Sequence, residues 1–467
     1  MEHSHLKQIH TGKQHDVDMT HGNVVRHLIN FSFPLLIGNI FQQLYNTVDT
    51  WVVGNYVSNE AFSAVGTVGP IINMLIGFFM GLSSGAGVVI SQYYGAKQRD
   101  KVRETVHTSI VMTLLLGVLL TFFGILIIPS MLRLMKTPDV VYPEAHTYLT
   151  IYFGGMLGLV LYNMGSGILR AVGDSRRPFY FLVLCAVLNI VLDLTFVIVL
   201  NLGVAGVAYA TVFSQGISAL LVLITMIRSD GWVQLRLEEL RINIPILKKI
   251  VGVGIPAALQ LAVTSFSNVF VQSYINFFGP DCMSGWTAYA KIDQLMVLPM
   301  QSLSLAATTF VGQNLGTGQV ERAKKGTRTA CALSMALTTA LMLLVLPTAP
   351  HLVEFFNAKP AVIEFGTLFL RCLSPFYLLC CINQVYSAAL RGAGNSRVPM
   401  VLMLFSFVLF RQCYLFVMAN FISNTILPIA MGYPAGWLVC SVLTLVYYHF
   451  ADLSHNRLVD DPLPSAH

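Results

Sequence analysis

Charge is scarce in this chain. Only 11% of its 467 residues are Asp, Glu, Lys or Arg, while 55% are hydrophobic. Soluble domains carry about 25% charged residues, so an ordinary water-facing surface cannot be built from this composition. A metal or disulfide framework is missing as well. The eight cysteines (Cys185, Cys282, Cys331, Cys372, Cys380, Cys381, Cys413 and Cys440) form no CxxC pair, and all but Cys282 fall inside apolar runs. They read as small core residues. There is no GxxxxGK[ST] stretch, which disfavours ATP hydrolysis by this chain, and no HExxH. The first 24 residues are polar and lack the apolar core of a secretory signal. They hold His3, His5, His10, His15 and His21. A metal-binding tail and a disordered polar tail are both open, although no Cys or acidic cluster completes a metal site.

What the chain has instead is apolar length. Twelve runs fall at roughly 27–53, 62–85, 104–130, 146–169, 178–200, 204–227, 246–277, 283–311, 327–347, 362–389, 398–420 and 431–450. Each is long enough to cross about 30 Å of hydrocarbon as a helix. The expected fold is therefore all-α and integral to a membrane.

Orientation follows from the basic residues. Links after even-numbered runs carry Lys97, Arg99, Lys101 and Arg103; Arg170, Arg176 and Arg177; Arg228, Arg236, Arg241, Lys248 and Lys249; Arg322, Lys324, Lys325 and Arg328; and Arg391 and Arg397. Links after odd-numbered runs hold only Arg133, Lys136 and Lys359. The alternation predicts a multi-pass protein with both termini cytoplasmic. It also accounts for the net charge of +6 without a nucleic-acid partner, and the basic links are suited to anionic lipid.

Two segments recur. Ile90-Ser91-Gln92-Tyr93-Tyr94-Gly95 returns as Val311-Gly312-Gln313-Asn314-Leu315-Gly316. Leu169-Arg170-Ala171-Val172-Gly173-Asp174-Ser175-Arg176 returns as Leu390-Arg391-Gly392-Ala393-Gly394-Asn395-Ser396-Arg397. Both pairs are offset by 221, and Pro34 matches Pro256 at 222. Each half thus has six helices, and an even number makes the halves parallel repeats about an axis along the membrane normal. The expected organisation is a polar tail (1–24), an N-lobe (25–228), a cytoplasmic link (229–245), a C-lobe (246–451) and a second cytoplasmic tail (452–467).

Against this apolar background a few polar residues stand out. Asp49 closes the first run with no cationic residue in its own helix, and a lone carboxylate at membrane depth is costly unless it has a task. Asn189 and Asp193 lie four residues apart in the fifth run, on one helix face, and Thr211 lies in the sixth. Two carboxylates, an amide oxygen and a hydroxyl are hard oxygen ligands suited to a proton or a small cation. Two close carboxylates also resist ionising together, so one holds a proton near neutral pH. The plainer alternative has Asp193 capping a backbone break and Asp49 facing water. The repeat maps Asp49 near Val271, Asn189 onto Phe410 and Asp193 onto Tyr414, so the second half lacks the acids.

Lys291 and Asp293, two apart in the eighth run, do not face each other. A buried polar network or second gating site and an ion pair with another helix are both open. Arg371 is placed to snorkel or pair outward, and Arg411 to donate to carbonyls, with no role assigned to either. Gly77, Gly81 and Gly85 make a small-residue face for close helix packing, and Pro34 and Pro256 are expected to kink or loosen their helices. The 29 Phe and 19 Met suit an adaptable pocket for flat, cationic, greasy compounds, or simply lipid and core.

Together, the two six-helix repeats, the Pro34…Asp49 helix and the duplicated Gln-(x)2-Gly and Leu-Arg-(x)2-Gly segments resemble the MATE multidrug efflux transporters over about residues 25–450. The first-half acids are most similar to the DinF-like branch. That resemblance implies an N-lobe cation site of Asp49, Asn189, Asp193 and Thr211, with Gln42, Asn46 and Asn163 on the substrate side. The acidic C-lobe residues of the NorM-like branch are missing. The implied activity is antiport: a proton or sodium ion enters while an organic, often cationic, drug leaves through a cavity between the lobes. A plasma-membrane (inner-membrane) monomer without a cofactor is expected. One rival is a flippase for lipid-linked oligosaccharide, which calls for a more cationic cavity. Another is a polytopic membrane enzyme, which needs a catalytic cluster at one membrane face that is absent here.

Overall fold

The computed structural model describes residues 16–135 and 137–459, apart from the side chains at 59, 62, 67, 70, 263, 266 and 269. His3, His5, His10, His15 and Lys136 lie outside the described residues. Twelve helical spans follow one another: α1 (Val24–Tyr56), α2 (Asn59–Gly95), α3 (Arg99–Leu134), α4 (Tyr142–Gly154 and Met156–Ala171), α5 (Arg176–Val199), α6 (Gly203–Ile227), α7 (Ile244–Asn276), α8 (Pro280–Gly316), α9 (Val320–Phe356), α10 (Pro360–Gly392), α11 (Arg397–Ile422) and α12 (Ile426–Phe450). No strand occurs among the described residues.

The helices outrun the apolar stretches that announce them. α8 covers 37 residues, which at 1.5 Å per residue is about 55 Å, well beyond the hydrocarbon. Hydrophobicity stops at the headgroups, whereas the backbone hydrogen-bond ladder continues into the polar layer. The fourth run, expected as one spanning helix, bends by 49°. The break falls at the Gly154–Gly155 pair, where a Cβ on Gly155 would sit 2.3 Å from Val212 Cγ1. A glycine pair under close contact from a neighbour is a recognised cause of such a kink. α1 and α7 run on through Pro34 and Pro256.

α1–α6 and α7–α12 form two lobes joined chiefly through α2 and α7. Their crossing is built on the small-residue face: a Cβ on Gly81 would meet Ala258 Cα at 2.4 Å, and one on Gly85 would meet Ile250 O at 2.5 Å. Backbones this close maximise dispersion contacts where lipid offers no hydrophobic driving force. Gly66 and Gly69, further toward the other end of α2, have nothing within 4 Å.

The duplicated Leu-Arg segment is a helix-to-helix corner. Gly173 and Gly394 take φ of +86° and +96°, a left-handed turn open to glycine. Asp174 Oδ1 then accepts from the backbone N–H of Arg176 and Arg177, both at 3.1 Å, and Asn395 Oδ1 accepts from Val398 N–H at 3.2 Å. These side chains satisfy the free donors that open α5 and α11.

Two expectations need correction. The terminal stretches do not hang free where they are described: Met19, Thr20 and Leu453 are each 1% exposed against the bundle. All eight cysteines are free, but Cys413 is exposed and Cys372 half-buried, so these two are not core residues. α11 turns part of its circumference outward, and a small thiol is tolerated on an apolar exterior.

Candidate cation site

α1 packs against α5, and α5 against α6, and these are the helices that carry Asp49, the Asn189–Asp193 face and Thr211. Asp193 is the last residue of the regular α-helical part of α5. The next turn, Leu194–Val199, is a π-helix. Its wider winding breaks the i→i−4 ladder beside the acid, a feature frequent at functional sites. The Asp49 and Asp193 carboxyls lie directly against one another.

The pair is short of partners. Asn189 and Asp193 are fully buried. Both carboxylate oxygens of Asp193, both polar atoms of the Asn189 amide and Oδ1 of Asp49 are buried with no hydrogen-bond partner. Leaving a buried polar atom unsatisfied costs about 1–3 kcal/mol, and more when it is charged. Two acceptor-only groups cannot satisfy each other; a shared proton or a small hard cation between them does. The donor set fits such an ion, since it consists of oxygens. The Thr211 hydroxyl donates to Val207 O at 3.1 Å and keeps its lone pairs for an incoming ion.

Three tyrosines that the sequence reading passed over surround the acids. Tyr45, Tyr148 and Tyr152 are buried and lie within electrostatic reach of Asp49, Tyr148 reaching Asp193 as well. The rings of Tyr148 and Tyr152 stack with centroids 6.2 Å apart. One signal was available: Tyr45 precedes Asp49 by four residues, so the two share a helix face. Cys185 likewise precedes Asn189 by four and sits near Asp49.

The substrate-side candidates separate. Gln42 reaches Tyr45, one turn along α1. Asn46 is exposed on the same helix. Asn163 donates from Nδ2 to Leu159 O at 2.9 Å, and its backbone carbonyl accepts the Ser83 hydroxyl at 2.8 Å. Its contacts are therefore with its own helix and α2.

In the C-lobe, Lys291 and Asp293 part company. Lys291 is exposed, while Asp293 Oδ1 accepts from the hydroxyls of Tyr289, at 3.4 Å, and Tyr377. Neither forms an ion pair among the described residues, so the polar-network reading describes Asp293 and the ion-pair reading does not. Arg371 is exposed, as snorkelling requires. Arg411 is 1% exposed and donates to Ser267 Oγ at 2.6 Å and Asn268 Oδ1 at 2.9 Å, with its guanidinium 4.7 Å above the Tyr433 ring. Its acceptors are side chains, not the carbonyls of the main chain that were expected. At the positions equivalent to Asp49, Asn189 and Asp193 stand Val271, Phe410 and Tyr414, the last donating to Pro428 O at 3.1 Å.

A family model described as MatE matches this chain twice, over residues 34–195 and 256–415, one match in each lobe. The chain belongs to the MatE family. This MatE protein is 30% identical over 439 residues to a probable multidrug resistance protein of Bacillus subtilis, covering 93% of this chain and 96% of that one. It is 24% identical over 391 residues to a protein of Shewanella oneidensis named as an FAD transporter, covering 82% and 86%. A solved structure of a MOP superfamily transporter from Pyrococcus furiosus superposes with a TM-score of 0.88 at 25% identity, covering 93% of this chain and 97% of that one. The MatE protein is thus a multi-pass membrane transporter of two six-helix lobes, and not an enzyme.

Proposed function

We propose that the protein is a cation-coupled antiporter that exports organic, often cationic, compounds across the plasma (inner) membrane by alternating access. The coupling ion is a proton or sodium, held by Asp49 and Asp193 with Asn189 and Thr211 as further oxygen ligands. The observation that carries this reading is the contact of the half-buried Asp49 with the buried Asp193, in which Asp49 Oδ1 and both Asp193 oxygens have no hydrogen-bond partner. With the ion bound, one of the two negative charges is offset, attraction through the shared ion replaces repulsion, and the N-lobe closes around it. Without it, two like charges in a low-dielectric layer push α1 from α5. Gln42, Asn46 and Asn163 are the substrate-side groups, and Asp293, with its two tyrosines, is a secondary polar site in the C-lobe.

The energetics bound the scheme. Turning a two-state population from 1:99 to 99:1 needs about 5.5 kcal/mol of differential binding. The membrane potential supplies about 2.3 kcal/mol per charge per 100 mV. Ion affinity must therefore differ between the two states, as a site made and unmade by helix movement allows. The chain works as a monomer with its basic end and both termini in the cytoplasm.

The test uses purified protein in liposomes, a cationic dye and, given the FAD-transporting relative, a flavin. A pH gradient and a sodium gradient are imposed separately on wild type and Asp49→Asn. Dye movement driven by one gradient and lost in Asp49→Asn is the expected result. Transport unaltered in Asp49→Asn overturns the assignment of the site.

A further inference from the structure

The two chain ends meet the bundle in the same way. At the N-terminal end, Val17 N–H donates to Val172 O at 2.9 Å, and Val17 lies so close over Gly173 that a Cβ there would sit 2.3 Å from Val17 O. Two residues on, Met19 N–H donates to Oε1 of Gln313, in the opposite lobe, at 2.9 Å. At the C-terminal end, Asn456 lies over Gly394, where a Cβ would sit 2.5 Å from Asn456 O. Two residues on, Leu458 N–H donates to Oε1 of Gln92, again in the opposite lobe, at 2.7 Å. Gly173 and Gly394 are offset by 221, and so are Gln92 and Gln313. The two tails share no such repeat in sequence, yet they occupy twofold-equivalent tracks.

The glutamines they reach are themselves ties between the lobes. Gln92 Nε2 on α2 donates to Gly392 O at the end of α10, at 2.9 Å. Gln313 Nε2 on α8 donates to Ala171 O at the end of α4, at 3.0 Å. Both side chains are fully buried. Between them the helices nearly touch: a Cβ on Gly95 would lie 1.9 Å from Gln313 O, and one on Gly316 would lie 2.1 Å from Gln92 O. Each tail's last carbonyl is held as well. Met19 O accepts from Asn314 Nδ2 at 3.3 Å and from Arg322 at 3.1 Å, and Leu458 O accepts from Lys249 Nζ at 2.7 Å.

We infer that the segments at 17–19 and 456–458 are paired straps that hold the basic end of the transporter shut, and that they release whenever this end opens. Separating the lobes at Gly95 and Gly316 pulls each glutamine from the opposite lobe's carbonyl. Each strap is anchored on one lobe and bonded to the other, so it must then let go of one of them. The straps explain why two segments with no apolar run lie against the bundle, with Met19 buried and Asn456, Arg457 and Leu458 half-buried. They also explain why the Gln-(x)2-Gly motif is duplicated: it supplies a strap acceptor, an inter-lobe donor and a close-approach glycine in each half. Asp18 pairs with Lys97 at 2.5 Å and Asp16 with Arg177 at 3.5 Å, which fastens the first strap to its own lobe.

This inference rests on the alternating-access reading, and the test separates the two. Spin labels at Asp100→Cys and Lys325→Cys, in a Cys372→Ser/Cys413→Ser background, report the lobe separation at the basic end in nanodiscs. Met19→Pro/Leu458→Pro removes both strap N–H donors outside any helix, and Gln92→Ala/Gln313→Ala removes their acceptors. The proline pair, which loses two hydrogen bonds, is expected to raise the open-to-closed ratio about tenfold, and the alanine pair, which also loses the two inter-lobe bonds of the glutamines, by at least as much. If the wild type opens with substrate or an ion gradient but the proline pair leaves the ratio unchanged, the straps are not part of the gate. If neither the wild type nor any variant ever opens, the alternating-access reading falls and the straps fall with it.

Discussion

The fifth helix of each lobe occupies the same place in the repeat and carries one buried residue of the Asp, Glu, Lys and Arg class, but of opposite sign. On α5 it is Asp193, followed by the π-turn Leu194–Val199. On α11 it is Arg411, preceded by the π-turn Leu404–Phe410. Both backbones are loosened beside a charge, yet the surroundings differ. Asp193 has two oxygens with no partner, while Arg411 Nη2 has two acceptors and an aromatic face. A charge with neutral partners already in place has no need of a mobile ion; a carboxylate left without partners does. The comparison assigns exchange to the N-lobe and anchoring to the C-lobe, on a frame the two lobes share.

The comparison breaks most sharply at the acids. Asp193→Asn is expected to cut gradient-driven transport on the order of 100-fold, the upper range of measured couplings between sites, while leaving thermal stability equal or higher because a buried orphan charge is gone. Flux in proteoliposomes and a melting curve check both halves. Arg411→Met should do the reverse: a loss of about 2–4 kcal/mol of stability, since Ser267, Asn268 and the Tyr433 face lose their partner, with the ion dependence of the surviving flux unchanged. A melting series in detergent, paired with flux per folded protein, tests it.

Smaller changes refine the site. Tyr148→Phe removes one hydroxyl facing both acids and should move the half-maximal proton or sodium concentration about three- to tenfold. Thr211→Val, matched in shape, should move it about threefold, because the hydroxyl already has an acceptor in Val207 O. Asp18→Asn is the smallest. Burial disfavours the charged form of Asp18, but the Lys97 ammonium and the Thr20 hydroxyl outweigh it and bring the carboxyl down to about 2. A depressed carboxyl stabilises fully above its ordinary value near 3.8 and loses that contribution as pH falls toward 2. Asp18 therefore stays charged from pH 5 to 8, and Asp18→Asn should leave the shape of the pH–flux curve intact.

How much of this was legible depends on what apolar sequence hides. The twelve spans, the repeat and Asp49 stood out because charge at membrane depth is rare. The contact of Asp49 with Asp193 was foreshadowed by the resemblance, which implied one site for both, and not by spacing, since spacing within a helix says nothing of which helix lies opposite. Tyr45, Tyr148 and Tyr152 were passed over because tyrosine is unremarked in an apolar run. The bend at Gly154–Gly155 needs Val212 of α6 for its explanation. The tails were read as polar ends because their burial comes from backbone groups, Met19 N–H and Leu458 N–H, which no composition reveals. Lys291 and Asp293 were rightly kept off one face, but which one turned inward depended on Tyr377 of α10.

The most direct test of the central claim is ion release on substrate binding. Purified protein in weak buffer is titrated with a cationic dye while protons are followed with a pH indicator and sodium with an ion-selective electrode. The account predicts that wild type and Arg411→Met release one kind of ion on binding, and that Asp49→Asn/Asp193→Asn binds dye without releasing either. Undiminished release from the double aspartate variant would place the coupling ion elsewhere and contradict the account.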